Sequence, residues 1–138
     1  MTEGLSWCKN VVTIHGTPEN IGEVVEFVRG QKEFEFGHRL NGEIVEGQLF
    51  SFRSIIPIKG EWSSAMALAV WGVRSSDAIE VEMYYKDNFV VYEFLTPWCA
   101  PLPVCGELRS QFADVYISWF YDNPQELLCG YIRCNKKI

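Results

Sequence analysis

The chain has 138 residues, 48% of them hydrophobic and 22% charged, enough for one domain with a sizeable core and too apolar for disorder. Its formal net charge is −6 and its basic run is only Lys136-Lys137, which disfavours direct nucleic-acid binding. No apolar stretch reaches the length of a bilayer span, and the acidic start Met1-Thr2-Glu3 is unlike a signal peptide, so a cytoplasmic setting without membrane contact is expected.

The first element is a strand from Ser6 to Ile14, where Cys8, Asn10, Val12 and Ile14 alternate with Trp7, Lys9, Val11 and Thr13. Gly16 breaks it. Thr17 then suits an N-cap with Pro18 at the first helical position, and Glu19 and Glu23 suit the positive end of the helix dipole. Ile21, Val24, Val25 and Val28 form one apolar stripe, which predicts a helix over 18–30. Between residues 31 and 60, Phe34, Phe36, His38 and Leu40 alternate up to Asn41-Gly42, a dipeptide suited to a type I′ turn, and Glu43 to Phe50 returns. This stretch reads as an inserted β-ribbon. Met66 to Trp71 is a short buried segment of either strand or helix.

Ala78 to Tyr85 and Phe89 to Leu95 form a hairpin around Lys86-Asp87-Asn88, with Ile79, Val81, Met83 and Tyr85 expected on one face and Glu80 and Glu82 on the wetter one. After a corner rich in proline (Pro97, Pro101, Pro103), Val104, Leu108 and Phe112 mark a second helix over about 102–113. Val115, Ile117, Trp119 and Tyr121 alternate in another strand. Asp122-Asn123-Pro124 turns it, and Leu127 to Cys134 pairs back. The order predicts a single α+β domain over 1–138: a ferredoxin-like split β-α-β sandwich, an antiparallel sheet with two helices on one face and an extra C-terminal strand.

Four blocks also resemble a known family. Trp7-Cys8-x-Asn10-x-Val12-x-Ile14-x-Gly16, Phe52-x-x-Ile55-Ile56-Pro57, Trp71-Gly72-x-Arg74 and Phe94-x-Thr96-x-Trp98-x-x-Pro101 are similar, in order, to segments of the Api92-like family. Leu95, Pro97 and Ser75 depart from its pattern of Asp, Ala and Trp at those positions, so no polar role of that Asp carries over. The resemblance implies a ferredoxin-like fold, a name for a topology that implies no iron–sulfur cluster, in small accessory proteins of phages, plasmids and genomic islands. It brings no established activity.

The five cysteines (Cys8, Cys99, Cys105, Cys129, Cys134) are spaced unlike a zinc knuckle, so free thiols and no metal or cofactor are expected. A Cys-His nucleophile pair would need His15 or His38 near a thiol, and His15 with Cys99 is the conceivable contact. No orienting acid or oxyanion hole accompanies it, and no Gly-rich phosphate loop is present. The candidate protein-binding patch is Trp71, Arg74, Asp77, Thr96 and Trp98, with Arg74 expected to be exposed beside two indoles; core packing is the alternative account of the same residues. The expected function is a non-enzymatic accessory protein of a phage or mobile element, a monomer or small homo-oligomer, that binds an unknown host protein. Inhibition of a host defence or of other host machinery would be the outcome of such binding. The alternatives are a nucleic-acid-associated module and a small thiol-dependent hydrolase.

Overall fold

A computed structural model describes residues 6–30, 38–40, 43–45 and 48–133. The elements are β1 (Trp7–His15), α1 (Pro18–Val28), β2 (His38–Leu40), β3 (Glu43–Val45), α2 (Phe52–Ile55), α3 (Ser64–Trp71), β4 (Ile79–Lys86), β5 (Phe89–Pro97), α4 (Leu102–Gln111), β6 (Tyr116–Asn123) and β7 (Leu128–Tyr131). The strands lie in one sheet in the order β3-β2-β4-β5-β1-β6-β7. Its β4-β5-β1-β6 centre is the antiparallel ferredoxin-like sheet expected from the element order, and β7 is the added strand. One pairing departs from the antiparallel rule: β2 runs parallel to β4, meeting it at Leu40 and Met83.

Period-two alternation decides which face each strand buries. Cys8, Asn10, Val12 and Ile14 of β1 stand opposite Thr96, Phe94, Tyr92 and Val90 of β5, and all are buried. Ile117 and Trp119 of β6 continue the same face. Ile21, Val24 and Val28 of α1 and Val104, Cys105 and Leu108 of α4 cover it and join the same core. Both long helices therefore lie on one face. Thr17 caps α1, its hydroxyl accepting from the Asn20 N–H at 3.1 Å, with Pro18 in the first turn.

The hairpin β4-β5 carries a bulge between Ile79 and Glu82, where three steps along β4 oppose two along β5. Glu80 takes up the extra residue at φ 52°. The consequence is a correction to the expected face: Val81, Met83 and Tyr85 point to the core side, but Ile79 pairs with Leu95 on the open side.

The insertion also differs from a simple ribbon. β2 and β3 pair as expected, while Phe34, Phe36 and the Asn41-Gly42 turn lie outside the described residues. Where the ribbon was expected to continue, residues 52–55 form the short helix α2. The segment 48–56 docks on the end of α1: Gly30 N–H donates to Gln48 O at 2.7 Å, Ser51 N–H to Val28 O at 2.7 Å, and Ser54 Oγ to Arg29 O at 2.7 Å. A Cβ on Gly30 would sit 2.7 Å from Gln48 Cβ, so this close approach requires glycine. Phe50, Phe52 and Ile55 are thereby delivered into the core. Met66 to Trp71 is helical, within α3, and only Ala67 and Trp71 of that helix are buried; Met66 and Leu68 face outward.

Candidate functional site

The two tryptophan blocks meet at the corner where β5 feeds α4. β1 and β5 end together at the Trp7–Pro97 pair, and the chain then turns through Trp98 at φ 69°. A left-handed backbone at a bulky residue costs about 1–2 kcal/mol and persists only where neighbours impose it. Here Trp98 N–H donates to Ser6 O at 2.8 Å, and Trp98 O accepts from Asn123 Nδ2 at 2.8 Å. Asn123 is itself fixed by exchanging hydrogen bonds with Ser6 Oγ at 2.7 and 3.0 Å. The indole is left 45% exposed.

A second buried relay holds the rest of the corner. Trp119 Nε1 donates to Asn10 Oδ1 at 3.0 Å, and Asn10 Nδ2 donates to Thr96 Oγ1 at 2.9 Å. Thr96 Oγ1 donates to Cys99 O at 2.7 Å. Three strands and the turn are thus joined by satisfied polar groups inside an otherwise apolar core, an arrangement that favours one geometry.

Beside this corner opens a pocket of about 400 Å³, lined by Cys8, Gly72, Trp98, Cys99, Leu102 and Leu128, with Ala100, Pro103, Tyr121 and Asn123 completing the wall. Gly72 sits at φ 83°, and a Cβ there would lie 2.8 Å from Pro103 Cδ, so glycine lets the first block close on α4. Leu102 and Leu128 are 58% and 51% exposed at the rim. Burial pushes the Cys8 thiol up from its ordinary range, against the lowering hydrogen bonds from Asp122 and Thr96, and burial likewise raises Cys99. Both favour the protonated thiol over the nucleophilic thiolate.

The five residues proposed from sequence divide between core and surface. Trp71 is fully buried, donates Nε1–H to Ile56 O at 2.9 Å and meets Phe52 edge-on at 5.5 Å. Arg74 is exposed and reaches Ser64 Oγ at 3.4 Å; the guanidinium over the Trp71 ring belongs to Arg53, at 5.8 Å. Thr96 is a buried member of the relay, and Trp98 stands at the pocket rim.

Asp77 lies in a different place, at the start of α2. Its Oδ1 accepts from Phe52 N–H and Ala78 N–H, both at 2.7 Å, and its Oδ2 from Ser51 Oγ at 2.8 Å. Burial nonetheless holds its carboxyl above the ordinary 3.8. Folding then favours the protonated form, so its contribution is fully present below pH 3.8 and is lost as pH rises through the folded pKa. Asp77→Asn keeps an oxygen for the two N–H groups and offers Ser51 an N–H. It is expected to melt close to wild type and to flatten the decline in stability as pH rises above 3.8. Asp77→Ala, leaving two amides unpaired, is expected to lose about 2 kcal/mol. Thermal melts across this range check both; parallel wild-type and Asp77→Asn profiles would contradict the assignment.

His15 and Cys99 do not meet. His15 pairs with Phe89 at one end of the sheet, whereas Cys99 follows the Trp7–Pro97 pair at the other. Eight residues of strand separate the two ends, about 26 Å. His38 is in β2, beyond β4 from this corner. Among the described residues, Cys8, Cys99, Cys105 and Cys129 form no disulfide with one another; Cys134 lies outside them. Among the described residues, no three His, Cys, Asp or Glu side chains converge as a metal site, and no helix is long and apolar enough to cross a membrane.

The fold and the corner together define an α+β ferredoxin-like sandwich with an apolar pocket at one end of its sheet. No family model matches the chain, and no curated protein matches it. Among solved structures, the chain is similar to a protein api92 from Yersinia pseudotuberculosis, with a TM-score of 0.60 and 12% identity over 93% of each chain. The fold is Api92-like, as the four sequence blocks implied.

Proposed function

We propose that this chain is a non-enzymatic accessory protein of a phage or other mobile element that acts by binding a host protein, and that the pocket beside Trp98 is where the partner docks. The observation that carries this reading is the half-exposed indole held in a left-handed conformation at the rim of an apolar pocket. A fold that only needed to fill its core would bury the indole or place glycine there. Protein interfaces centre on aromatic and aliphatic anchors of this kind, and a pocket of this volume accepts one large apolar side chain from a partner. The mobile-element setting is supported by the resemblance of the four sequence blocks to the Api92-like family. Inhibition of a host defence is the outcome such binding would serve.

The site also separates binding from folding. Trp98→Gly removes the backbone strain and half an indole's burial, two opposed effects, so stability is expected to stay within about 1 kcal/mol of wild type. Partner affinity is expected to fall by about 2 kcal/mol or more. Capture from host lysate on immobilised wild-type and Trp98→Gly protein, followed by calorimetric titration of whatever is lost, measures it. A partner retained equally by both would sink the proposed docking point.

A further inference from the structure

The outer edge of β7 carries features of a strand that pairs. Ile132 N–H donates to Trp119 O at 2.9 Å, which marks residues 132 and 119 as a hydrogen-bonded antiparallel pair. Such pairs alternate, so Gly130 and Leu128 also turn their backbone groups toward β6. Cys129 and Tyr131 therefore direct N–H and C=O outward, and among the described residues no strand pairs with them. Edge strands are usually guarded by lysine, proline or a covering element. Residues 127–132 read Leu-Leu-Cys-Gly-Tyr-Ile, with neither charge nor proline, and Leu127, Leu128, Cys129 and Tyr131 are all exposed.

We propose that two copies of this chain pair through β7, antiparallel about a twofold axis at Gly130, to form one sheet that runs through both. A strand edge that leaves water is paired along its whole length by another strand, and this edge is complementary to itself in that register. Cys129 falls opposite Tyr131 of the second copy, so the outward groups of both residues exchange hydrogen bonds, two in each symmetry-related pair and about four in all. Gly130 meets Gly130 of the second copy in the close, non-hydrogen-bonded position, where Cα atoms approach to about 4.5 Å and side chains would crowd. Leu128 meets Ile132 of the second copy on the helix-covered face, apolar against apolar. The acidic residues behind the net charge of −6 lie outside this stretch, so no like charges oppose across the pairing.

Light scattering over a dilution series tests the proposal on the intact chain. The mass is expected to rise from 15.9 kDa when dilute toward twice that value at millimolar protein. Cys129→Pro removes an outward N–H from each copy and no bond to β6, so the dimer's dissociation constant should rise about thirtyfold. Cys129→Lys, which sets two cations diagonally across the axis, should shift it in the same direction while circular dichroism stays unchanged. In a Cys99→Ser, Cys134→Ser background, a bismaleimide spanning about 8 Å should join the two Cys129 side chains. A chain that stays monomeric at millimolar concentration without cross-linking, or a dimer unmoved by both Cys129 substitutions, overturns the inference.

Discussion

Phe50→Ala is expected to be among the most damaging single truncations in the molecule, costing about 4 kcal/mol and about 15 °C in melting temperature. Phe50 is fully buried and packs on four other rings: stacked on Phe94 at 4.9 Å, tilted against Tyr92 at 4.9 Å, and edge-on to Trp119 at 6.0 Å and Phe52 at 6.3 Å. It therefore bridges β5, β6 and α2 from a segment with no strand of its own. Three of its four neighbours stand on paired strands of the sheet, which limits collapse into the space and places the cost in the upper part of the range for large-to-small core substitutions. Chemical denaturation of the purified variant checks the value. A loss below about 1.5 kcal/mol would mean that residues 48–56 form a dispensable appendage.

Asn10→Leu is expected to cost about 3 kcal/mol for a different reason. The substitution nearly preserves volume but strands the Trp119 indole N–H in the core and removes the donor to Thr96 Oγ1. A buried donor left without an acceptor pays its full desolvation cost. Removing both partners is gentler, so Trp119→Phe placed on Asn10→Leu should cost less than the sum of the two single changes by about 1 kcal/mol or more. A double-mutant cycle by denaturant titration measures the coupling. Strict additivity would show that the relay is not a cooperative unit.

Much of the fold was legible because its signals are local. The period-two runs at 6–14, 89–95 and 115–121, the Thr17-Pro18 start and the stripe Ile21, Val24, Val28 each correspond to an observed element. The ordered sequence blocks carried the fold family. What stayed hidden depends on contacts distant in sequence. Regular alternation through 78–85 shows no bulge, because Glu80 adopts its conformation only within the pairing with β5. Phe50 and Phe52 looked like part of a ribbon because the groups that anchor them, Val28 O and Asp77, lie far off along the chain.

The candidate site was legible only in part. The proline-rich corner and Trp98 were visible, but the left-handed turn that exposes the indole is imposed by Ser6 and Asn123, whose pairing spans 117 residues. Trp71 and Trp98 looked equivalent in sequence and are not: one donates its indole N–H inside the core, the other stands at the rim. The distance between His15 and Cys99 could have been foreseen. They end antiparallel neighbouring strands on opposite sides, and that pairing follows from the same element order that predicted the fold.

Site-specific photocross-linking in host cells tests the central claim most directly. A benzophenone amino acid placed at Leu102, 58% exposed beside the pocket, should yield a discrete adduct with one host protein, and Trp98→Gly should abolish it. The same group at Tyr84, 47% exposed on the open face of β4, should yield none. Equal adducts from both positions, or none from Leu102, would contradict docking at the corner.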